Sequence, residues 1–286
     1  MKNVRRYQLL FYIVLTMLSL LGLSVEARQI REVPDNIVQC DVACMQFAYP
    51  YALLSQDVYE DNRTFDKQGW IRGTSEIIFD FPDDDLTFFM DSWVIKDDDG
   101  LHMALYMNRD ERAVALAVRG TEFNSLSDIL TDLQQVFGAI PEQYENALTA
   151  TQTVLPYIQQ MGYRFFVVGH SLGGGIAQYV ANSLNLPAMT FNTAPISKDV
   201  EQDSFVRKYP NGIPADASPP IIYNLVFRRE GGWWSSYDTI ADSYSNADSG
   251  GLLGASFSLV IEDDISLLEL HSLDKMIEEM QRHIEQ

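Results

Sequence analysis

The chain has 286 residues, 47% of them hydrophobic, with 40 acidic against 20 basic side chains and a net charge of −20. That much apolar material can fill a sizeable core, and the composition excludes disorder, a collagen-like repeat and a disulfide-dense scaffold. So acidic a balance excludes a nucleic-acid partner, which needs basic surface. It also works against docking on anionic lipid heads, although screening over about 8–10 Å leaves close, transient apolar contact with a lipid interface open.

Residues 1–27 read apart from the rest. Lys2, Arg5 and Arg6 give a positive start, "LLFYIVLTMLSLLGL" is uncharged, and "SVEA" ends on Ala27 with Val25 two places before it. At about 1.5 Å per residue the apolar stretch spans about 22 Å, short of the roughly 30 Å of a bilayer core. The pattern predicts a cleaved signal peptide and export, periplasmic or secreted, with an uncleaved membrane anchor as the alternative. Removing its three basic residues and one acid leaves 17 basic and 39 acidic side chains, a net −22.

Next, "NIVQCDVACMQFAYPYALLSQDVYED" carries apolar residues at helical spacing, with a break or kink expected at Pro50. Cys40 and Cys44 fall in this stretch. An exported chain permits a disulfide between them. Placed on one helix, their Cα atoms stand about 6 Å apart, near the upper edge of disulfide geometry. Two small buried groups on one helix face are therefore the favoured reading. "SWVIK", "LHMALYMN" and "AVALAVRG" then read as strands separated by the turns "DDDG" and "NRDER". The acid clusters "DFPDDD" and "KDDDG" do not have calcium-loop spacing and read as solvated turns.

The pattern then changes. "SLSDILTDLQQVF" and "PEQYENALTATQTVLPYIQQM" look helical, "RFFVVGH" is a short buried strand and "LGGGIAQYVANSL" a helix. "PAMTFNT" and "PIIYNLVFR" follow as strands, and "SLDKMIEEMQRHIE" as a final helix. Antiparallel strands followed by strand–helix alternation predict an α/β fold with a mixed sheet wrapped by helices, and a single domain over 28–286 is the simplest account.

"GHSLG" at the junction of that strand and helix fits G-x-S-x-G with Ser171 central. A serine on so sharp a turn is strained, and side chains two places before and after it would collide, so Gly169 and Gly173 are needed. The hydroxyl then stands above the sheet, facing helix amides that favour an anion. Serine needs a base. His102 precedes it in the chain, and His170 adjoins it and cannot easily turn back. In the order serine, acid, histidine, His271 and His283 remain. His283 sits near the C-terminus, whereas His271 precedes the last helix, where a loop can aim it at the sheet. The acid belongs after "PIIYNLVFR": Asp238 is favoured, Glu230 is the alternative, and Asp242 is further off. The oxyanion needs the amide of Leu172 and a second donor; the "RGT" turn offers Thr121 for it, with an ordinary strand-end turn as the alternative reading.

These residues resemble a known family. "LAVRGT" ending at Thr121, "DILTDL" (128–133), "VVGHSLGGGIA" (167–177), "MTFNTAP" (189–195) and "HSLD" (271–274) look like the class 3 lipases and their bacterial relatives, over roughly Tyr51 to Met280. The resemblance implies an α/β-hydrolase fold, a mixed and mostly parallel sheet with helices on both faces, and hydrolysis of carboxylic esters. It implies Ser171 as nucleophile, His271 as base, and Thr121 and Leu172 as oxyanion donors. It also implies a lid over Glu122 to Pro141; a packed surface helix there is the alternative. The departure from the family is the acid loop, where "RREGGWWSSYDTI" intervenes. Its Trp233 and Trp234 read as packing groups ahead of a lipid-contacting rim.

Together these predict an exported serine ester hydrolase of lipase, phospholipase or carboxylesterase type, acting on a lipid or other ester with no metal and no organic cofactor. Acyl transfer to an alcohol, and an inactive lipid- or partner-binding protein on the same fold, are the alternatives.

Overall fold

The run Ala113–Val118 shows how the sheet is covered. All six residues are buried, as an apolar strand with both faces packed requires. Val114, Leu116 and Val118 enter one side of the core, and Ala113, Ala115 and Ala117 the other. The computed structural model describes residues 37–60, 65–73, 87–89, 93–98, 100–120, 141–214, 217–229, 252–261 and 265–286. Asn36–Gln286 forms one compact unit.

The described strands are β1 (Ile37–Gln39), β2 (Asp66–Lys67), β3 (Trp70–Arg72), β4 (Thr87–Phe89), β5 (Val94–Lys96), β6 (His102–Asn108), β7 (Ala113–Val118), β8 (Arg164–His170), β9 (Ala188–Phe191), β10 (Ile222–Arg229) and β11 (Ala255–Ile261). The helices are α1 (Val42–Asp57), α2 (Glu142–Gln160), α3 (Leu172–Leu184), α4 (Lys198–Lys208), α5 (Leu267–His271) and α6 (Leu273–Ile284). Strands β7, β8, β9, β10, β11 and β1 run parallel, in that spatial order. β6 joins β7 antiparallel and carries β3 and β5 along its other side, with β2 and β4 beyond them. α1 and α6 cover the alanine side of β7, and α2 and α3 the valine and leucine side. This is the α/β-hydrolase architecture, a mixed sheet with helices on both faces. Among the described residues no helix is long and apolar enough to cross a membrane.

Two expectations change. Cys40 and Cys44 form a disulfide, with Cα atoms 5.3 Å apart. They are not two thiols on one helix face, because the helix starts later than expected: Asp41 is its N-cap and accepts from the Cys44 amide at 2.8 Å. Cys40 therefore precedes the helix, at the end of β1. Pro50 does not end α1, which runs on to Asp57. Met45, Ala48, Tyr51, Ala52 and Leu54 are buried along it, and that burial outweighs one missing backbone bond. Seven elements are not anticipated in the sequence: the short strands β1, β2, β3 and β4, the helix α5 where a loop is expected before His271, the polar helix α4, which buries only Val200 and Ser204, and β11, which extends the sheet beyond β10. The leader (1–27), the expected helix (125–137), the expected lid from Glu122 up to residue 140, Trp233 and Trp234 lie outside the described residues.

The C-terminal end of α1 is held by a buried polar cluster. Arg72 donates to the carbonyl of Asp57 at 2.7 Å, which also accepts from the Glu60 amide at 2.9 Å, and to the carbonyl of Glu60 at 3.3 Å. It also pairs with the Asp57 carboxylate at 2.9 Å, which accepts from the Tyr106 hydroxyl at 2.7 Å. Burial pushes the Asp57 carboxyl above its ordinary range in spite of Tyr106 and Arg72. At this carboxyl desolvation thus outweighs the attraction, and the cluster fixes position more than it adds stability. Removing one partner alone strands the other. Arg72→Met should cost about 3–5 kcal/mol in urea denaturation, and a loss under about 1 kcal/mol would show the cluster to be dispensable.

Candidate active site

Ser171 stands between the last residue of β8 and the first of α3 with φ 58° and ψ −128°. A residue bearing a Cβ resists that conformation. The backbone around it is tied down. The Ser171 amide donates to the Phe191 carbonyl at 3.2 Å, and its carbonyl accepts from Gly174 at 3.0 Å, Gly175 at 3.2 Å and Ala194 at 2.9 Å. The flanking glycines are there for space. A Cβ on Gly169 would lie 2.3 Å from the Gly173 carbonyl oxygen, and one on Gly173 2.2 Å from the Val118 carbonyl oxygen at the end of β7. Ser171 is fully buried, and its Oγ makes no hydrogen bond to the described residues. Leu172, the first residue of α3, has no carbonyl within the helix for its amide to bond.

His271 is the last residue of α5, whose N-terminus carries a capping box: Ser266 Oγ accepts from the Glu269 amide, and the Glu269 carboxylate accepts from the Ser266 amide. Ser272 follows at once and caps α6, so His271 occupies the joint between two helices. Its carbonyl accepts from His170 Nε2 at 2.9 Å and from Asn192 Nδ2 at 3.1 Å. Asn192 also donates to Leu270 O at 2.9 Å and accepts from the Phe227 amide at 2.8 Å. It thereby links the ends of β9 and β10 to the histidine segment. The rings of His170 and His271 lie 4.8 Å apart, centre to centre.

His170 itself is buried. Its Nδ1 is 3.1 Å from the Tyr59 hydroxyl, which accepts from the Gly120 amide at 3.0 Å. Burial, and secondarily the neighbouring His271, push its imidazole down to about 3, against the pull of the His271 carbonyl. It is neutral at every pH at which the protein would work. Gly120 is pressed into this corner: a Cβ there would fall 2.7 Å from both His170 O and the Tyr59 hydroxyl, and 3.1 Å from Ser171 Cβ.

The structure thus brings Ser171, Leu172, His271 and the "RGT" turn at Gly120 to one end of the sheet. Thr121, Asp238, Glu230 and Asp242 lie outside the described residues. His102 is buried at the start of β6, and His283 sits in the last turn of α6, 3.0 Å from Glu279. Sequence reasoning missed Tyr59 and Asn192. Asn192 lies inside "MTFNTAP", where a buried amide beside a glycine-free turn is a signal; nothing local marks Tyr59.

A family model for the Tle-like phospholipase domain, described as phospholipase-like, matches residues 50–222. An extracellular phospholipase A1 from Serratia liquefaciens is 31% identical over 150 residues, 52% of this chain and 42% of that protein. The chain therefore spans less than half the length of this relative. Among solved structures, a triacylglycerol lipase from Penicillium expansum is similar over 78% of this chain and 82% of its own, at 15% identity and a TM-score of 0.48. The Lip2 lipase of Yarrowia lipolytica is similar over 79% and 81%, at 16% identity and a TM-score of 0.42.

Two outcomes follow from the geometry. The strain at Ser171 is of order 1–3 kcal/mol for a residue with a Cβ and is absent for glycine. Ser171→Gly should therefore be more stable than Ser171→Ala by about 1 kcal/mol in urea, the reverse of the order inside a helix; the opposite ranking would mean the turn is relaxed. For His170, an unfolded chain takes up a proton near 6.5, while the folded chain does so only near 3. As pH falls through that window the unfolded state gains a proton that the folded state does not bind, and stability drops by about 4–5 kcal/mol. His170→Gln should lose correspondingly less on going from pH 6.5 to pH 3, as read from denaturant midpoints.

Proposed function

Because this chain belongs to the phospholipase-like family of Tle-like phospholipase domains, we propose that it is an exported serine hydrolase of lipid carboxylic esters, phospholipids foremost, working through an acyl-enzyme. The observation that carries this is the elbow: a buried serine at positive φ, on a strand-to-helix turn, beside a histidine whose main chain is held by the residue next to that serine. The similarity to an extracellular phospholipase A1 supports both the phospholipid substrate and the export that the leader predicts.

Ser171 Oγ attacks the ester carbonyl while the His271 imidazole takes its proton. The carbonyl oxygen, now negative, is held by the amides of Leu172 and Thr121; losing one such donor typically costs about 10²–10³ in turnover. His271 returns the proton to the leaving alcohol, and the acyl group stays on Ser171 until water, activated by the same imidazole, releases it. Asp238 holds the imidazole in the tautomer that presents Nε2 to the serine and stabilises the imidazolium; Glu230 is the alternative.

A fluorophosphonate probe and vesicles of phosphatidylcholine test this reading together. Wild type should be labelled and should release fatty acid and lysophospholipid. Ser171→Ala should lose labelling, and His271→Gln should lower turnover by roughly 10⁴-fold or more. Asp238→Asn should be crippled and Glu230→Gln should not; the reverse reassigns the acid. Folded wild type that takes no label and cleaves no ester would overturn the proposal in favour of a binding protein.

A further inference from the structure

A hydrogen-bond chain of fixed direction crosses this end of the sheet beside the serine. Its two ends set its sense. The Gly120 amide can only donate, so the Tyr59 oxygen receives that hydrogen at 3.0 Å. The His271 carbonyl can only accept, so His170 Nε2, 2.9 Å away, carries the hydrogen between them. A neutral imidazole then has a bare Nδ1, and the Tyr59 hydroxyl, 3.1 Å off, supplies its own hydrogen there. Gly120 N–H, Tyr59 O–H and His170 Nε2–H all point the same way, and no link can be reversed without breaking the others.

The two ends of the chain are the two places where the ester hydrolysis proposed above needs backbone precision. Gly120 immediately precedes Thr121 at the oxyanion turn, and His271 bears the imidazole. His271 ends a helix, α5, only five residues long, and so short a helix is not self-sustaining. Its carbonyl is instead gripped from the sheet side by His170 and Asn192. A misplacement of about 1 Å in a reacting group can cost about 10²-fold in rate.

We propose that Tyr59 and His170 are positioning residues, a single hydrogen-bonded strut that fixes the base's main chain relative to the oxyanion turn. This rests on the catalytic reading of Ser171 and His271. His170 neither takes the serine's proton nor touches the substrate. Both its ring nitrogens are committed to the strut, and its neutral Nε2–H form is the one the strut requires.

The test combines kinetics with spectroscopy. On a soluble short-chain ester, His170→Leu, which cannot donate to the His271 carbonyl, should lower kcat by about 10–100-fold and leave KM within about twofold. His170→Gln presents an amide N–H for that carbonyl and an amide oxygen for Tyr59, and should recover kcat to within about threefold of wild type. Tyr59→Phe should lower kcat about tenfold. In ¹⁵N-histidine spectra, His170 of wild type should be one Nε2–H tautomer across pH 5–8, and Tyr59→Phe should turn it into a tautomer mixture. Equal activity of the Leu and Gln variants, or an Nδ1–H tautomer in wild type, would overturn the strut. If His170→Leu fails to fold, Tyr59→Phe carries both readouts. If wild type hydrolyses no ester, the functional reading fails, while the ¹⁵N spectrum still decides whether the strut exists.

Discussion

Between β8 and α3 the chain passes through a conformation that any residue with a side chain resists, and the rest of the site is built around keeping it there. The cost is local and the restraint is not. Two neighbouring segments supply it: the end of β9 and the residues after it bond the Ser171 amide and carbonyl, while the end of β7 presses its backbone against Gly173. Because both contacts are backbone on backbone, they leave no room for a methyl group and little for slippage. A strained residue persists only when its surroundings over-determine it, and here strand ends on both sides of β8 do so.

The same convergence explains how a histidine a hundred positions downstream comes to the end of the sheet that carries the serine, where its carbonyl meets the residue before that serine. Parallel strands end together, so residues leaving β8, β9 and β10 meet above one edge of the sheet. His170 leaves β8, Asn192 leaves β9, and Phe227 in β10 donates its amide to Asn192. Each contributes to the anchorage of α5. On the opposite flank, the Arg72–Asp57–Tyr106 cluster fixes the end of α1, two residues before Tyr59. A buried ion pair of small net value is thereby useful as a locator, since Tyr59 must arrive between Gly120 and His170 within a few tenths of an ångström.

How much of this was legible in the sequence follows from which forces are local. The strand Arg164–His170 and the helix Leu172–Leu184 agree with the sequence reading residue for residue, because apolar run, glycine turn and helical spacing are all short-range signals. The need for glycine at 169 and 173 was legible for the same reason. Cys40 and Cys44 do not share the helix, since Cys40 precedes its N-cap. Asp41, a good N-cap, was the residue that should have moved the helix start past Cys40. Pro50 and Pro156 both sit inside helices, where tertiary burial overrides propensity. α4 escaped notice because so little of it is buried. The strut through Tyr59 was invisible: its members are separated by 61 and 111 positions, and no pattern along a chain encodes a contact made by folding.

The disulfide encloses so few residues that it removes little freedom from an unfolded chain, on the order of 2 kcal/mol in the chain-entropy view. Its importance lies in where it sits. β1 is the outermost parallel strand, three residues long and paired only with β11 among the described strands, and Cys40 continues that pairing with a bond to Ser258 O at 2.8 Å. The bridge ties this short strand to the first turn of α1. A reducing environment would cut that tether, let the strand peel away and bare the row of amides and carbonyls along β11. An uncovered sheet margin of that kind is a template for strand addition, so the bridge guards this side of the sheet against it.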